Sequence, residues 1–379
     1  MNACARPPPP LDYRETKKMR KLLTSFVALL ALATPALAQT KVVNVFNWSD
    51  YVDQKLLDAF TKETGIKVVY DTYDSNETLE TRLLAGKSGY DVVVPSGTFL
   101  QRQIKAGIYQ KLDRSKLPNS SEIWPEIATR LSAYDPGNEY SVNYMWFTTG
   151  IAFNVEKIKA RLGDRPIDSW DMIFKPENIK KVADCGVYML DSPEDILSIA
   201  LRYLGLNPET RNQNEIKRAA DLVMQVKPYI RKFHSSEYIN ALANGDICMA
   251  VAWAGDSFQA RNRAREAGNG VVIDYVIPKE GTLMSMDNLA IPKDAEHVDE
   301  AYAFINFLLR PDVAARNSTV TNFASGILKA KALLAPEIAD NKSIYPDEAT
   351  MRRLFTVAPY EQTLQRFVTR EWTRIKTSR

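Results

Sequence analysis

The chain has 379 residues, enough for two domains or one large α/β unit. Its 45% hydrophobic and 25% charged residues match an ordinary soluble globular protein and argue against disorder. The formal charge of +3 is local: residues 1–38 hold six of the 49 basic and two of the 46 acidic residues, leaving 43 and 44, a net of −1 and no global footprint for nucleic acid.

Residues 19–38 read as a secretory signal peptide. Met19-Arg20-Lys21 is a short basic start, 22–37 a mostly apolar core, and Ala36-Leu37-Ala38 a small-x-small cleavage site. Residues 1–18, with the Pro7–Pro10 run, fit no export grammar, so Met19 is the expected start. No cysteine follows Ala38, which excludes a lipid anchor there. The plainer alternative, a membrane anchor, suffers from an apolar stretch short for a bilayer. The mature chain, from Gln39, is expected to be soluble and outside the cytoplasm, in the periplasm of a double-membraned cell. Cys4 lies in the leader. Cys185 and Cys248 remain, an even count in an oxidising compartment, and a disulfide between them is predicted; the alternative is two buried free thiols.

Strand and helix alternate along the chain. Residues 42–46 read as a strand, and 53–64 as an amphipathic helix with Leu56, Leu57 and Phe60 inward and Gly65 as its stop. Residues 66–70 form the next strand, and Asp74 with Glu77 has capping-box spacing for a helix through Leu83 and Leu84. Residues 91–94 are a short buried strand ended by Pro95-Ser96-Gly97. Further on, 150–153 and 187–190 read as strands, and Ser192-Pro193-Glu194-Asp195 starts a helix running to about Leu204. Helices over 214–226 and 237–243, strands over 247–253, 271–277 and 289–291, a helix over 298–309 and a helical C-terminus ending at Trp372 complete the pattern. Such units predict a parallel-rich sheet with helices on both faces.

Catalytic constellations are scarce. The chain has two histidines, His234 and His297, and neither belongs to a nucleophile elbow. No phosphate loop, dinucleotide fingerprint or zinc spacing occurs, so no cofactor and no metal are expected. Two aromatic–acid units stand out instead: Asn47-Trp48-Ser49-Asp50-Tyr51 and Trp253-Ala254-Gly255-Asp256, each after an apolar strand. An aromatic face attracts an organic ammonium and a carboxylate takes its N–H donors. The plainer alternative makes the tryptophans core residues and the aspartates helix caps. Both units nonetheless fall at strand ends, where open α/β sheets bind ligands; Ser96 also follows a strand, and Asp287 follows Leu283-Met284-Ser285-Met286 near an expected lobe crossing.

Several stretches are similar to the periplasmic polyamine-binding proteins of bacterial ABC importers, closest to the putrescine-binding branch. They are residues 47–51, Glu63-Thr64-Gly65-Ile66-Lys67-Val68, Tyr90-Asp91-Val92-Val93-Val94-Pro95-Ser96, Leu242-Ala243-Asn244-Gly245-Asp246-Ile247-Cys248, 253–256 and Leu308-Leu309-Arg310-Pro311-Asp312. They keep one order over essentially the whole mature chain. The resemblance implies a two-lobed α/β fold of the type II periplasmic-binding-protein kind, each lobe a mixed, mostly parallel sheet flanked by helices, with a hinged cleft between. Lobe 1 would hold residues 39–145 and 284–342, and lobe 2 residues 146–283 and 343–379, after the leader at 1–38. It implies ligand contacts from Trp48, Ser49, Asp50, Tyr51, Ser96, Asp195, Trp253, Asp256, Asp287 and Phe323. Asp195 stands where the family has glutamate, beside Glu194 at a position that does not bind, and Phe323 where it usually has tyrosine. Ser285 replaces an aromatic ring two residues before the cleft aspartate, opening one wall. The implied function is capture of a polyamine, putrescine first, by a monomer that delivers it to a membrane permease and its ATPase. Spermidine or another organic cation, or a sensor without transport, are the alternatives. An anion or iron(III) receptor would need a phosphate nest, or tyrosines with a carboxylate, rather than paired tryptophans and acids.

Overall fold

β1 (Val42–Trp48) is an apolar run whose Val43, Val45 and Phe46 are buried, and it pairs in parallel with β2 (Lys67–Tyr73). The chain is described here from a computed structural model covering residues 41–378; the leader, its signal peptide and Cys4 lie outside the described residues. Between the two strands runs α1 (Gln54–Thr64), which buries Leu56, Leu57 and Phe60. Asp53 caps its start by accepting from the Lys55 amide, and Gly65 ends it at φ 73°, a left-handed conformation that only glycine adopts cheaply.

α2 (Asn76–Leu84) is capped by Ser75, whose hydroxyl accepts from the Thr78 amide. The expected Asp74–Glu77 box is therefore displaced by one residue. β3 (Val92–Val93) pairs in parallel with β1 and is followed at once by α3 (Gly97–Lys105), which the sequence reading left out.

The largest departure is β4 (Ser141–Asn154). It runs for 14 residues, almost all buried, where four were expected. Its first half pairs antiparallel with β9 (Met284–Ala290), and its second half with β7 (Met249–Trp253) and β8 (Ile273–Val276). The strand order is β2-β1-β3-β9-β4-β7-β5-β6, with β8 and β10 (Ala324–Ser325) also on β4. β5 (Val187–Met189) runs parallel to both β6 (Lys232–Phe233) and β7. Both flanks of the array are thus parallel and its middle is antiparallel. β9 also starts earlier than the expected strand at 289–291, which places Asp287 inside it.

Helices cover the array: α4 (Val155–Leu162), α5 (Pro193–Tyr203), α6 (Gln213–Val226), α7 (Ala254–Ala267), α8 (Val298–Leu308), α9 (Pro311–Thr321) and α10 (Gln362–Thr377), which extends past Trp372. α5 begins as its sequence dictates, with Ser192 as cap and Pro193 in the first turn. Cys185 and Cys248 are bonded, with Cα atoms 5.5 Å apart, just ahead of the neighbouring strands β5 and β7. No helix among the described residues is long and apolar enough to cross a membrane.

Candidate functional site

One cavity gathers side chains from both flanks of the array. β1 ends in Trp48, α3 is preceded by Ser96, β7 ends in Trp253, and α5 and α7 present Asp195 and Asp256 from their first turns. All line the cavity, as do Ser49, Tyr51, Asp287 and Phe323. Asp50 is the exception among the expected residues: it does not line the cavity. It sits exposed at φ 55°, and its carboxylate pairs with Arg263 of α7 at 3.1 Å.

The walls are aromatic. The Trp48 and Trp253 rings meet edge to face at 6.0 Å, and Trp48 donates its indole N–H to the Val94 carbonyl at 2.9 Å. Phe147, which the sequence reading did not single out, bridges Trp253 and Phe323 with centroid distances of 5.9 and 5.1 Å. Phe323 stands perpendicular to Tyr51 at 4.7 Å and lies so close over Gly255 that a side chain there would collide with the ring. Ser285 lines the cavity directly across the strand pair from Phe147. A neighbouring strand therefore supplies a ring beside Ser285.

Three aspartates are buried in these walls: Asp195, Asp256 and Asp287, 6, 7 and 2% exposed. Asp287 accepts a 2.6 Å hydrogen bond from the Ser96 hydroxyl. Asp256 accepts one from the Tyr238 hydroxyl, on a fully buried ring. Burial removes water from both carboxyls and pushes each up to about 7 despite these donors. Asp195 accepts from Ser192, Thr149 and the Trp253 indole; burial raises it too, against these donors. The Tyr51 phenol is held well above its usual range, first by burial and then by Asp287, and its Oη has no hydrogen-bond partner among the described residues. Glu194 also lines the cavity and accepts a 2.6 Å hydrogen bond from the Thr98 hydroxyl of α3; burial pushes it up to about 8.

Buried acids without a basic partner favour a cation that brings its own charge. Among the described residues no group of three or more His, Cys, Asp and Glu is placed to hold a metal ion. Thr98, Phe147 and Tyr238 escaped the sequence reading, and Glu194, expected at a position that does not bind, lines the cavity as well. Phe147 lay inside an apolar stretch whose strand register is set by pairing, and Tyr238 is separated from Asp256 by 18 residues.

The sequence profile of the bacterial extracellular solute-binding proteins matches residues 55–346. The chain is 52% identical over 343 residues to the putrescine-binding periplasmic protein SpuD of Pseudomonas aeruginosa strain UCBPP-PA14, covering 90% of this chain and 94% of that one. It is 47% identical over 365 residues to the putrescine-binding periplasmic protein PotF of Escherichia coli K12, covering 95 and 99%. A solved Listeria monocytogenes structure, described as a spermidine/putrescine ABC transporter, superposes with a TM-score of 0.79 at 30% identity, over 89% of this chain and all of that one. The fold is the two-lobed type II periplasmic-binding-protein fold. The chain belongs to the bacterial extracellular solute-binding protein family, in the branch that holds the periplasmic putrescine-binding proteins.

Proposed function

We propose that this protein captures a polyamine, putrescine first, in the periplasm and delivers it as a monomer to the permease of an ABC importer. The observation that carries the reading is the pair Asp256 and Asp287: two buried carboxyls, each raised to about 7 by burial, set in a ring of aromatic side chains. An ammonium between them restores their charge, and the edges and faces of Trp48, Trp253, Phe147 and Phe323 enclose the methylene chain. Two lobes, residues 39–145 with 284–342 and 146–283 with 343–379, would close over the ligand about the long crossing strands β4 and β9. Closure is favoured because each buried charge then finds its partner.

Trp48 and Trp253 make the test optical. Titrating the mature protein with putrescine should change tryptophan emission and saturate at one ligand per chain. Asp256→Ala and Asp287→Ala should each weaken binding by about 100-fold or more, since removing one partner strands a buried charge. Near-normal affinity in either variant would refute that residue's role.

A further inference from the structure

Asp195 and Glu194 are neighbours at the start of α5, and both line the cavity, but they are not equally free. Asp195 already has three donors on its two oxygens. The Ser192 hydroxyl donates to Oδ2 at 2.6 Å, the Trp253 indole N–H to Oδ1 at 3.2 Å, and the Thr149 hydroxyl to Oδ1 as well. The Ser192 hydroxyl in turn accepts from the Asp195 amide at 3.3 Å, so the pair closes the first turn of the helix. A carboxylate offers about four lone-pair sites, which leaves Asp195 with one at most.

Glu194 has the opposite balance. Thr98 donates to Oε2 at 2.6 Å, and Oε1 has no hydrogen-bond partner among the described residues. No basic side chain among the described residues forms an ion pair with it. Arg102, the cation whose field reaches it, is held by both oxygens of Glu80 at 2.6 and 2.5 Å. Glu194 stands half-buried at the cavity wall, surrounded closely enough by protein that burial raises it to about 8. Such a group lacks one thing, a cation that enters with the ligand.

We propose that Glu194, rather than Asp195, receives the second ammonium of the bound diamine, and that Asp195 is a positioning residue that holds the Trp253 indole against the methylene chain. This rests on the polyamine reading above. Thr98 on α3 and Glu194 on α5 come from opposite flanks of the array, so the hydroxyl aims the carboxylate as the walls meet. Reach supports the division: glutamate carries one more methylene than aspartate, and the shorter acid is spent on its own helix start.

The test compares putrescine, with two charges, against n-butylamine, with one. Affinities are measured by calorimetry, the weaker amine by displacement, for wild type, Glu194→Gln, Glu194→Asp and Asp195→Asn. Gln keeps an acceptor for Thr98, and a thermal melt checks the fold of each variant. Glu194→Gln should weaken putrescine 10- to 100-fold and leave n-butylamine unchanged, removing the preference for the diamine. Glu194→Asp, with the charge kept and the reach shortened, should fall between. Asp195→Asn should weaken both amines by a similar factor, because it loosens the Trp253 wall they share. The inference is overturned if Glu194→Gln binds putrescine like wild type, or if Asp195→Asn is the variant that loses the diamine preference. A wild type silent to putrescine would overturn the putrescine assignment on which the inference rests.

Discussion

Binding should release protons, and the amount follows from the buried acids. Burial pushes Asp256 and Asp287 each up to about 7, so at pH 7 each carboxyl is about half protonated in the free protein. Putrescine remains a dication across this range, since alkyl ammonium groups titrate near pH 10. Pairing with an ammonium ionises both acids. Uptake of one ligand at pH 7 should then release roughly one proton from the aspartates, and approach two if Glu194, raised to about 8, ionises as well. Affinity should accordingly strengthen by roughly 100-fold between pH 6 and pH 8. Calorimetry in buffers of different ionisation enthalpy measures the proton count directly. A pH-independent affinity with no proton release would refute the reasoning, because the carboxyls would then be ionised before the ligand arrives.

The same acids set a stability cost in the free protein. Their folded values lie above the unfolded ones near 3.8, so their stabilising contribution is complete below about pH 4 and is lost as pH rises through 7. Asp256→Asn and Asp287→Asn should therefore stabilise the free protein at pH 8 but not at pH 4, by up to about 4 kcal/mol each at 1.36 kcal/mol per unit, seen as a higher melting temperature. An unchanged melt at pH 8 would contradict this. Reducing the Cys185–Cys248 bond, which closes a loop spanning 63 positions, should remove roughly 4 kcal/mol and lower the melting temperature. Two free thiols in native protein would refute the bond. Ser285→Trp should restore a ring beside Phe147 and shift the preference between diamines and triamines by up to about tenfold. An identical profile would mean that this wall does not touch the ligand.

Much of the scaffold was legible because local chemistry and tertiary structure agree. Asp53 and Gly65 bracket α1, and Ser192-Pro193 starts α5, since caps and stops act within a few residues. β4 was read as four residues because its polar members, Ser141, Asn143 and the Thr148-Thr149 pair, break the apolar run, yet all are buried by pairing on both sides. α7 went unread because it lacks a clear apolar stripe: Asp256, Ser257 and Gln259 are buried there by the site and its surroundings. At the site, Trp48, Trp253 and Asp256 were recoverable as residue types at or just past strand ends, whereas Asp287 lies inside β9 and was indicated by the family resemblance. That Asp50 faces Arg263, or that Asp195 already accepts from three donors, depends on tertiary geometry that spacing does not encode.

Isothermal titration calorimetry of mature protein, stripped of ligand by partial unfolding and dialysis, tests the central claim most directly. The panel is putrescine, cadaverine, spermidine, spermine and agmatine. The account predicts tight one-to-one binding with putrescine preferred. No heat from any of the five would contradict it.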